Sequence, residues 1–188
     1  MALQRYEGTS SVDAGLSRRA MSLDGCLLSK VGLGATTSIT TEQVLASIVL
    51  PVKLLNNNSK GLLFLAWGST AGNGNNKQIR LREAGSVTDL TGTVIADSGL
   101  VAGNAVGFLL EVRLFRTGLT GQDVISKAII GSTLTVTFTQ TVLNSNKGLT
   151  NFNISAITPT AAGDITLAGW RCALLTEGGV QTLGGVLV

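Results

Sequence analysis

Residues 40–83 decide the fold of this chain, and they read TTEQVLASIVLPVKLLNNNSKGLLFLAWGSTAGNGNNKQIRLRE. Two apolar runs and then an amphipathic run follow one another, separated by clusters of Asn, Gly and Ser. None of the three has a helical period. In the last run Ile79 and Leu81 share one face, and Arg80 and Arg82 share the other. The stretch therefore predicts three consecutive β-strands joined by polar loops.

The middle strand of this stretch differs from its neighbours. Residues 62–67 are apolar on both faces, as in an inner strand that is covered on both sides. We expect this segment, with Trp67, to lie in the core or at the axis of an oligomer. The Arg-bearing face of the next strand is expected to meet solvent or a neighbouring protein, because arginine side chains are mostly exposed.

The strand pattern continues through the rest of the chain. Its most regular part is residues 133–142, where Leu134, Val136 and Phe138 alternate with threonines. We expect the threonines on the outer face, since β-branched side chains suit a pleated surface. In total the sequence predicts about eight to ten strands bounded by turn residues, with no helical segment between them. This spacing is typical of an all-β, antiparallel β-sandwich or jelly roll.

The two ends of the chain differ from the middle. Residues 1–22 are polar and lack a sustained period, so we expect an N-terminal arm there and a jelly-roll domain over residues 23–188. The segment is either a frayed terminus or an extended arm that a neighbouring subunit orders. The last residues are unusually apolar for a chain end in water, which predicts a contact with the domain or with another chain. The terminal side chains that this argument singles out are Arg5, Tyr6, Arg18, Arg19, Val186, Leu187 and Val188.

The composition favours an assembly protein. Hydrophobic residues make up 44% of the 188 residues and charged residues only 13%, whereas an ordinary soluble domain carries about a quarter charged residues. A surface rich in Thr, Ser and Asn explains part of this deficit. We expect burial against other subunits to explain the rest.

The distribution of charge and hydropathy excludes several partners. The net charge of +3 arises from few charges and not from a basic block, so we expect no nucleic-acid partner. The longest apolar stretch, residues 44–55, is interrupted by Ser47, Pro51 and Lys53. It falls short of the roughly 18 residues that a membrane-spanning helix needs. The first residues lack a basic-then-apolar signal pattern, so we expect synthesis in the cytoplasm without a cleaved export signal.

The sequence offers little reaction chemistry. It contains no histidine, which is the commonest general base and metal ligand, and neither a P-loop nor a calcium-loop motif occurs. A glycosidase needs only two carboxylates, so a pair such as Asp89 and Asp97 stays open. Cys26 and Cys172 are expected as buried thiols rather than a bridge in a reducing compartment, although their pairing also stays open. We expect no enzyme, no cofactor and no metal.

Four segments in this order resemble a module of tailed-bacteriophage virion proteins: TTEQVLASIVLPVKLL, GLLFLAWGSTAGNGNNKQIRLR, VGFLLEVRLFRTG and DITLAGWRCALLTE. The resemblance covers about residues 40–177 and rests on strand and turn residues. It implies a jelly-roll β-sandwich, usually trimeric, on the outside of a phage particle. Such modules serve as capsid cement or decoration proteins and as tips of tail fibres or receptor-binding proteins. The resemblance implies no catalytic residues.

We therefore expect a capsid cement protein on the virion surface that forms a homotrimer and bridges subunits of the major capsid protein. A tail-fibre tip, receptor-binding tip or tail adaptor, with tail proteins or a host receptor as partner, is the first alternative. A carbohydrate-binding or glycan-active jelly roll is the second, and it would need exposed aromatic rings or a pair of acids in a groove. The candidate interface residues are Arg5, Tyr6, Arg18, Arg19, Trp67, Arg80, Arg82, Val186, Leu187 and Val188.

Overall fold

A computed structural model describes residues 26–51, 54–55, 60–118, 121–142 and 150–176. These residues form β-strands and loops. No helix among them is long and apolar enough to cross a membrane. The strands are β1 (Cys26–Thr36), β2 (Gln43–Leu50), β3 (Lys60–Thr70), β4 (Asn76–Ala84), β5 (Thr93–Asp97), β6 (Val101–Ala102), β7 (Gly107–Arg116), β8 (Gly121–Ile130), β9 (Thr133–Val142), β10 (Thr150–Ile157) and β11 (Ile165–Thr176).

The strands form two antiparallel sheets whose pairing order is that of a jelly roll. One sheet has six strands in the order β1-β11-β3-β7-β8-β9, and the other has the order β2-β10-β4-β5, with β6 beside β4. The pairing is nested, because β1 pairs with β11 and β2 pairs with β10. The next strands inward, β3 and β4, then lie beside β11 and β10. The predicted all-β antiparallel sandwich is confirmed, and the β8–β9 hairpin widens its first sheet.

The core lies between the sheets. Strand β3 contributes its inward face to it, including Leu62 and Phe64, and β10 contributes Phe152 from the opposite sheet. The rings of Phe64 and Phe152 meet with centroids 4.6 Å apart. Burying a side chain of this kind stabilises the fold by about 1.5–3 kcal/mol. Cys172 is also fully buried in this core, and Cys26 begins β1 opposite Ala173 of the neighbouring strand.

Glycine and proline residues explain two features of the strands. Strand β1 has a register shift between Val31 and Ala35. Gly32 and Gly34 have φ of 69° and 61° within this irregularity, a conformation that glycine adopts without strain. Strand β2 ends at Leu50, just before Pro51, and lies at the edge of its sheet, as expected for a residue that cannot donate to a ladder.

The chain enters and leaves the described fold at one end of the sandwich. Cys26 lies opposite Ala173, Thr176 lies opposite Lys60, and Thr150 lies opposite Leu50. The described fold therefore begins and ends at the same end of the sandwich. The predicted arm of residues 1–22 and the C-terminal residues lie outside the described residues. The opposite end carries the loops that follow β1, β3, β5, β8 and β10.

Candidate interaction surface

The outer face of the six-stranded sheet is apolar over most of its width. Antiparallel registers align its side chains in rows, and one row runs from Trp67 through Leu109 and Ile129 to Leu134. The apolar side chains of this surface, which we call the apolar face, are Val31, Leu63, Leu65, Trp67, Leu109, Phe115, Ile125, Ile129, Leu134, Val136 and Phe138.

Strand β9 contributes three strongly exposed apolar side chains to this surface. Leu134 is 56% exposed, and Val136 and Phe138 are each 62% exposed. Ile125 of the neighbouring strand is also exposed and lies directly opposite Phe138. Single exposed apolar residues are normal, but a contiguous patch of several strands marks an interaction site.

The predicted orientation of residues 133–142 is wrong. The threonines face inward, where Thr135 Oγ1 donates to the Ser98 carbonyl at 3.0 Å. Thr141 Oγ1 accepts from Gln122 Nε2 at 2.9 Å, and the Thr137 hydroxyl bonds that of Ser126. Strand β9 lies at the sheet edge and contacts β5 of the opposing sheet. Its inner face therefore meets polar groups that bind hydroxyls, and the apolar side chains take the outer face.

Trp67 lies on the apolar face and not among the inward side chains of β3. Its ring passes over Gly169 of β11, which is opposite it in the register. A Cβ atom at Gly169 would lie 2.6 Å from Trp67 Cζ2, so only glycine leaves room for the ring. The segment predicted for the core or an oligomer axis thus divides between two faces: Leu62 and Phe64 are buried in the core, and Trp67 faces outward.

Charged side chains of both signs lie on the apolar face: Glu111 and Asp123 are acidic, and Arg113, Lys127 and Arg171 are basic. Glu111 accepts a hydrogen bond from Arg113 Nε at 2.8 Å and lies opposite Lys127 in the register. Asp123 accepts from Gln140 Nε2 at 3.1 Å. Each acid therefore has a basic or amide group beside it, and the face carries no block of one sign.

The outer face of the other sheet is polar and internally paired. Arg82 donates to both carboxylate oxygens of Glu42, from Nε and Nη2, at 2.7 Å each. Arg80 bridges Glu42 and Asp97, at 3.0 and 2.8 Å. Ser155 adds a hydrogen bond to Glu42 at 2.6 Å. Arg80 and Arg82 thus point outward as predicted, but carboxylates already neutralise them.

The pKa values of this cluster follow from its contacts. Burial pushes the pKa of Glu42 up, but hydrogen bonds from Arg82 and Ser155 outweigh it and hold the pKa below the ordinary glutamate value. Burial likewise pushes the pKa of Arg80 down, and its hydrogen bond to Asp97 outweighs this and raises it. These shifts keep Glu42 and Arg80 charged near neutral pH, so their ion pair stabilises the sheet.

The two acids that the sequence left open as a catalytic pair have structural contacts. Asp89 accepts hydrogen bonds from Thr91 Oγ1 at 2.7 Å and from the Gly85 N–H at 2.9 Å. These contacts lower the pKa of Asp89 to about 2. Asp97 accepts from Arg80 and from Gln78. Within the described part of the chain, no group of three or more acid or cysteine side chains is placed to hold a metal.

A buried lysine closes one end of the sandwich, opposite the end where the described fold begins and ends. Lys77 is fully buried, and its Nζ donates to the carbonyls of Asn73, Asn75 and Gly103 at 2.6–3.1 Å. The Asp164 carboxylate lies 3.9 Å from the ammonium. The pKa of Asp164 lies below its usual value. Burial alone would raise it, but hydrogen bonds from Asn73 and Asn75 and the charge of Lys77 outweigh burial. The ammonium thus ties three loops together.

The three predicted interface residues within the described part of the chain do not come together. Trp67 lies on the apolar face, whereas Arg80 and Arg82 lie on the outer face of the other sheet. Arg5, Tyr6, Arg18, Arg19, Val186, Leu187 and Val188 lie outside the described residues. Sequence reasoning missed the exposed side chains of β9, although their strict alternation with threonine was the signal that one of the two faces had to be apolar.

The comparisons with known proteins give distant similarities. No known family and no curated protein matches the sequence. Among solved structures, lectin UEA-II complexed with galactose has 11% identity and a TM-score of 0.39, over 78% of this chain and 85% of that one. The CBM2 module of the evolved Dit of Lactobacillus casei BL23 phage J-1 has 8% identity and a TM-score of 0.31, over 70% and 68%. Peanut lectin with a 9mer peptide has 11% identity and a TM-score of 0.34, over 73% and 85%. Similarities this distant carry no argument about function.

Proposed function

We propose that this chain is a non-enzymatic structural protein of a bacteriophage virion, and that it acts as a capsid cement protein. The observation that supports an assembly role is the apolar face, whose β9 side chains are more than half exposed. The resemblance of residues 40–177 to phage virion modules supplies the setting. The partners in this proposal are two further copies in a homotrimer and the major capsid protein.

The proposed mechanism is mechanical. Each Å² of apolar surface removed from water contributes about 25 cal/mol, and association costs reduce the net affinity well below that product. A cement protein uses this energy to hold adjacent capsid subunits against the pressure of packaged DNA. The described fold begins and ends at one end of the sandwich, and terminal segments that engage a second subunit add avidity.

Localisation in the particle tests the proposal. Purified virions of the phage that encodes the chain are analysed by quantitative mass spectrometry and by immunogold labelling. We expect a copy number comparable with that of the major capsid protein and labelling over the head. A few copies at the tail support the tail-tip alternative instead, and absence from virions contradicts both.

Removal of residues 1–22 tests the role of the predicted arm. We expect the truncated protein to bind capsids that lack it more weakly than the full chain does. The midpoint of denaturant unfolding should stay unchanged, because the described strands begin at Cys26. Equal binding by the two proteins in a co-sedimentation assay would refute a role for the arm.

One observation favours glycan binding at a tail tip as a second candidate. The rings of Phe115 and Phe138 are exposed on the apolar face, with the hydrogen-bonded pair Asp123 and Gln140 on the same side. Aromatic rings next to planar hydrogen-bonding side chains suit sugar recognition. A glycan array separates this candidate from cement: binding that Phe138→Ala abolishes supports the tail tip, and an array without binding counts against it.

A further inference from the structure

We propose that a second copy of this chain covers the apolar face, so that the six-stranded sheet is the surface through which copies associate. This inference rests on the proposed function, because it assigns the assembly surface to one occupant. It leaves the capsid contact to the remaining surfaces, among them the end of the sandwich where the described fold begins and ends.

The size of the apolar face suits a subunit contact. Six strands about 4.8 Å apart, with four rows of outward side chains about 6.8 Å apart, give a face of roughly 29 by 27 Å, or about 800 Å². A stable protein–protein contact buries about 800 Å² on each partner. A short peptide or a small ligand would cover only part of such a surface.

The charges on the apolar face favour a partner with the same pattern. Glu111 has Arg113 and Lys127 as neighbours, and Asp123 is bonded to Gln140. The described face therefore has no strong field that would select an oppositely charged protein. Acids and bases are interspersed on the apolar face, so opposite signs on two copies of the chain can meet in the contact.

The position of β9 gives an independent reason. In the described fold β9 has one strand neighbour, β8, and its other edge is an end of the sheet. Its sequence, TLTVTFTQTV, has no charge and no proline, although natural edge strands usually carry such residues to prevent unwanted pairing. A second copy that covers Leu134, Val136 and Phe138 also shields this edge.

Substitutions on β9 test the proposal. Wild type and Val136→Glu/Phe138→Glu are compared by sedimentation velocity and light scattering over about 1–100 µM, the range of weak to moderate assemblies. We expect an oligomeric wild type. The dissociation constant of the variant should rise at least roughly 30-fold, the size of a hot-spot loss. Both side chains are more than half exposed, so the folded monomer should tolerate the change, and circular dichroism verifies this.

Matched controls lie on the same molecule. Val87→Glu and Leu100→Glu replace exposed apolar residues, 48% and 56% exposed, that lie in loops away from the apolar face, and they should stay oligomeric. Leu134→Lys introduces the opposite charge on the face and should dissociate the oligomer as well. A wild type that is monomeric throughout the range overturns the proposal. Face variants that associate as tightly as wild type overturn it too.

The same proteins separate this inference from the proposed function. A monomeric wild type that still attaches to capsids contradicts the second copy and leaves the cement role intact. A wild type that oligomerises through β9 but is absent from virions supports the second copy and contradicts the virion role.

Discussion

At the residue scale, the buried ammonium of Lys77 is the most demanding group of the described fold. A buried charge is tolerated only when it is paired and hydrogen-bonded. Lys77 meets this condition with three carbonyls and the side chain of Asn73, and with Asp164 nearby. One side chain therefore holds the loops after β3, β6 and β10 in fixed positions.

Replacement of Lys77 should be strongly destabilising. Lys77→Met leaves buried carbonyls without a donor and Asp164 without its nearest positive charge, and loss of one partner of a buried pair costs about 3–5 kcal/mol. Lys30→Met is the matched control, because Lys30 is exposed and surface substitutions change stability by about 0.5 kcal/mol or less. Urea unfolding followed by tryptophan fluorescence measures both. Equal stabilities of the two variants would contradict the stabilising role of the Lys77 contacts.

Glu42 should make stability depend on pH. Its pKa in the folded protein lies below the ordinary value. Its contribution is therefore complete above the unfolded pKa of about 4.3 and is lost as the pH falls through the folded pKa. Glu42→Gln should lower the free energy of unfolding at pH 7 by about 2 kcal/mol and flatten the acid limb of the profile.

Asp97→Asn provides the comparison for Glu42. Asp97 is 33% exposed against 15% for Glu42, and Arg80 keeps its second carboxylate when Asp97 is lost. Its loss should be smaller, about 1 kcal/mol or less, as for other partly exposed pairs. Stability is measured by urea unfolding between pH 3 and pH 7. An acid limb that stays equally steep in Glu42→Gln would show that the cluster does not drive the pH dependence.

At the scale of elements, β3 and β11 fit together through the contact of Trp67 with Gly169. Gly169→Ala should cost about 1–3 kcal/mol, as other overpacking changes do, because the new Cβ would meet the Trp67 ring and the Lys30 carbonyl. Gly118→Ala is the control, since no atom lies within 4 Å of a Cβ built there.

A double-mutant cycle with Trp67→Phe measures the coupling between the two residues. We expect the cost of Gly169→Ala to be smaller in the Trp67→Phe background, because the smaller ring leaves room for the methyl group. Thermal unfolding gives the four stabilities. Additive losses would mean that the ring does not sense the substitution.

The strands were largely predictable from the sequence, and the orientation of β9 was not. Turn clusters such as residues 71–75 separate strands whose two faces differ in polarity, and that pattern locates them. Lys77 shares the inward face with Ile79 and Leu81 by parity, but its full burial was not predicted. For β9, however, alternation distinguishes two faces without saying which one is inward. That choice depends on the polar groups that Ser98, Ser126 and Gln122 place opposite it, and these lie far away in sequence.

The candidate site was less predictable than the fold. The sequence singled out Trp67, Arg80 and Arg82, but a strand pattern does not reveal which strands become neighbours. The pairing partner of both arginines, Glu42, comes from a loop that precedes β2. The apolar face combines side chains from strands far apart in the sequence, from Val31 to Phe138. Only the sheet order brings them together.

At the scale of the whole molecule, the sandwich has two unlike outer faces and two unlike ends. One face is polar and internally neutralised, and the other is apolar. One end is closed by Lys77, and the other carries Cys26 and Thr176, the first and last described residues. We propose a division of roles in which the apolar face joins copies of the chain and the end with Cys26 and Thr176 contributes to the contact with the capsid.

The most direct test of this account is a cryo-electron microscopy map of the virion of the phage that encodes the chain. The account predicts many copies on the capsid, with Val136 and Phe138 of each copy buried against another copy. A map in which these side chains face solvent in every copy, or in which the chain is missing from the capsid, would contradict it.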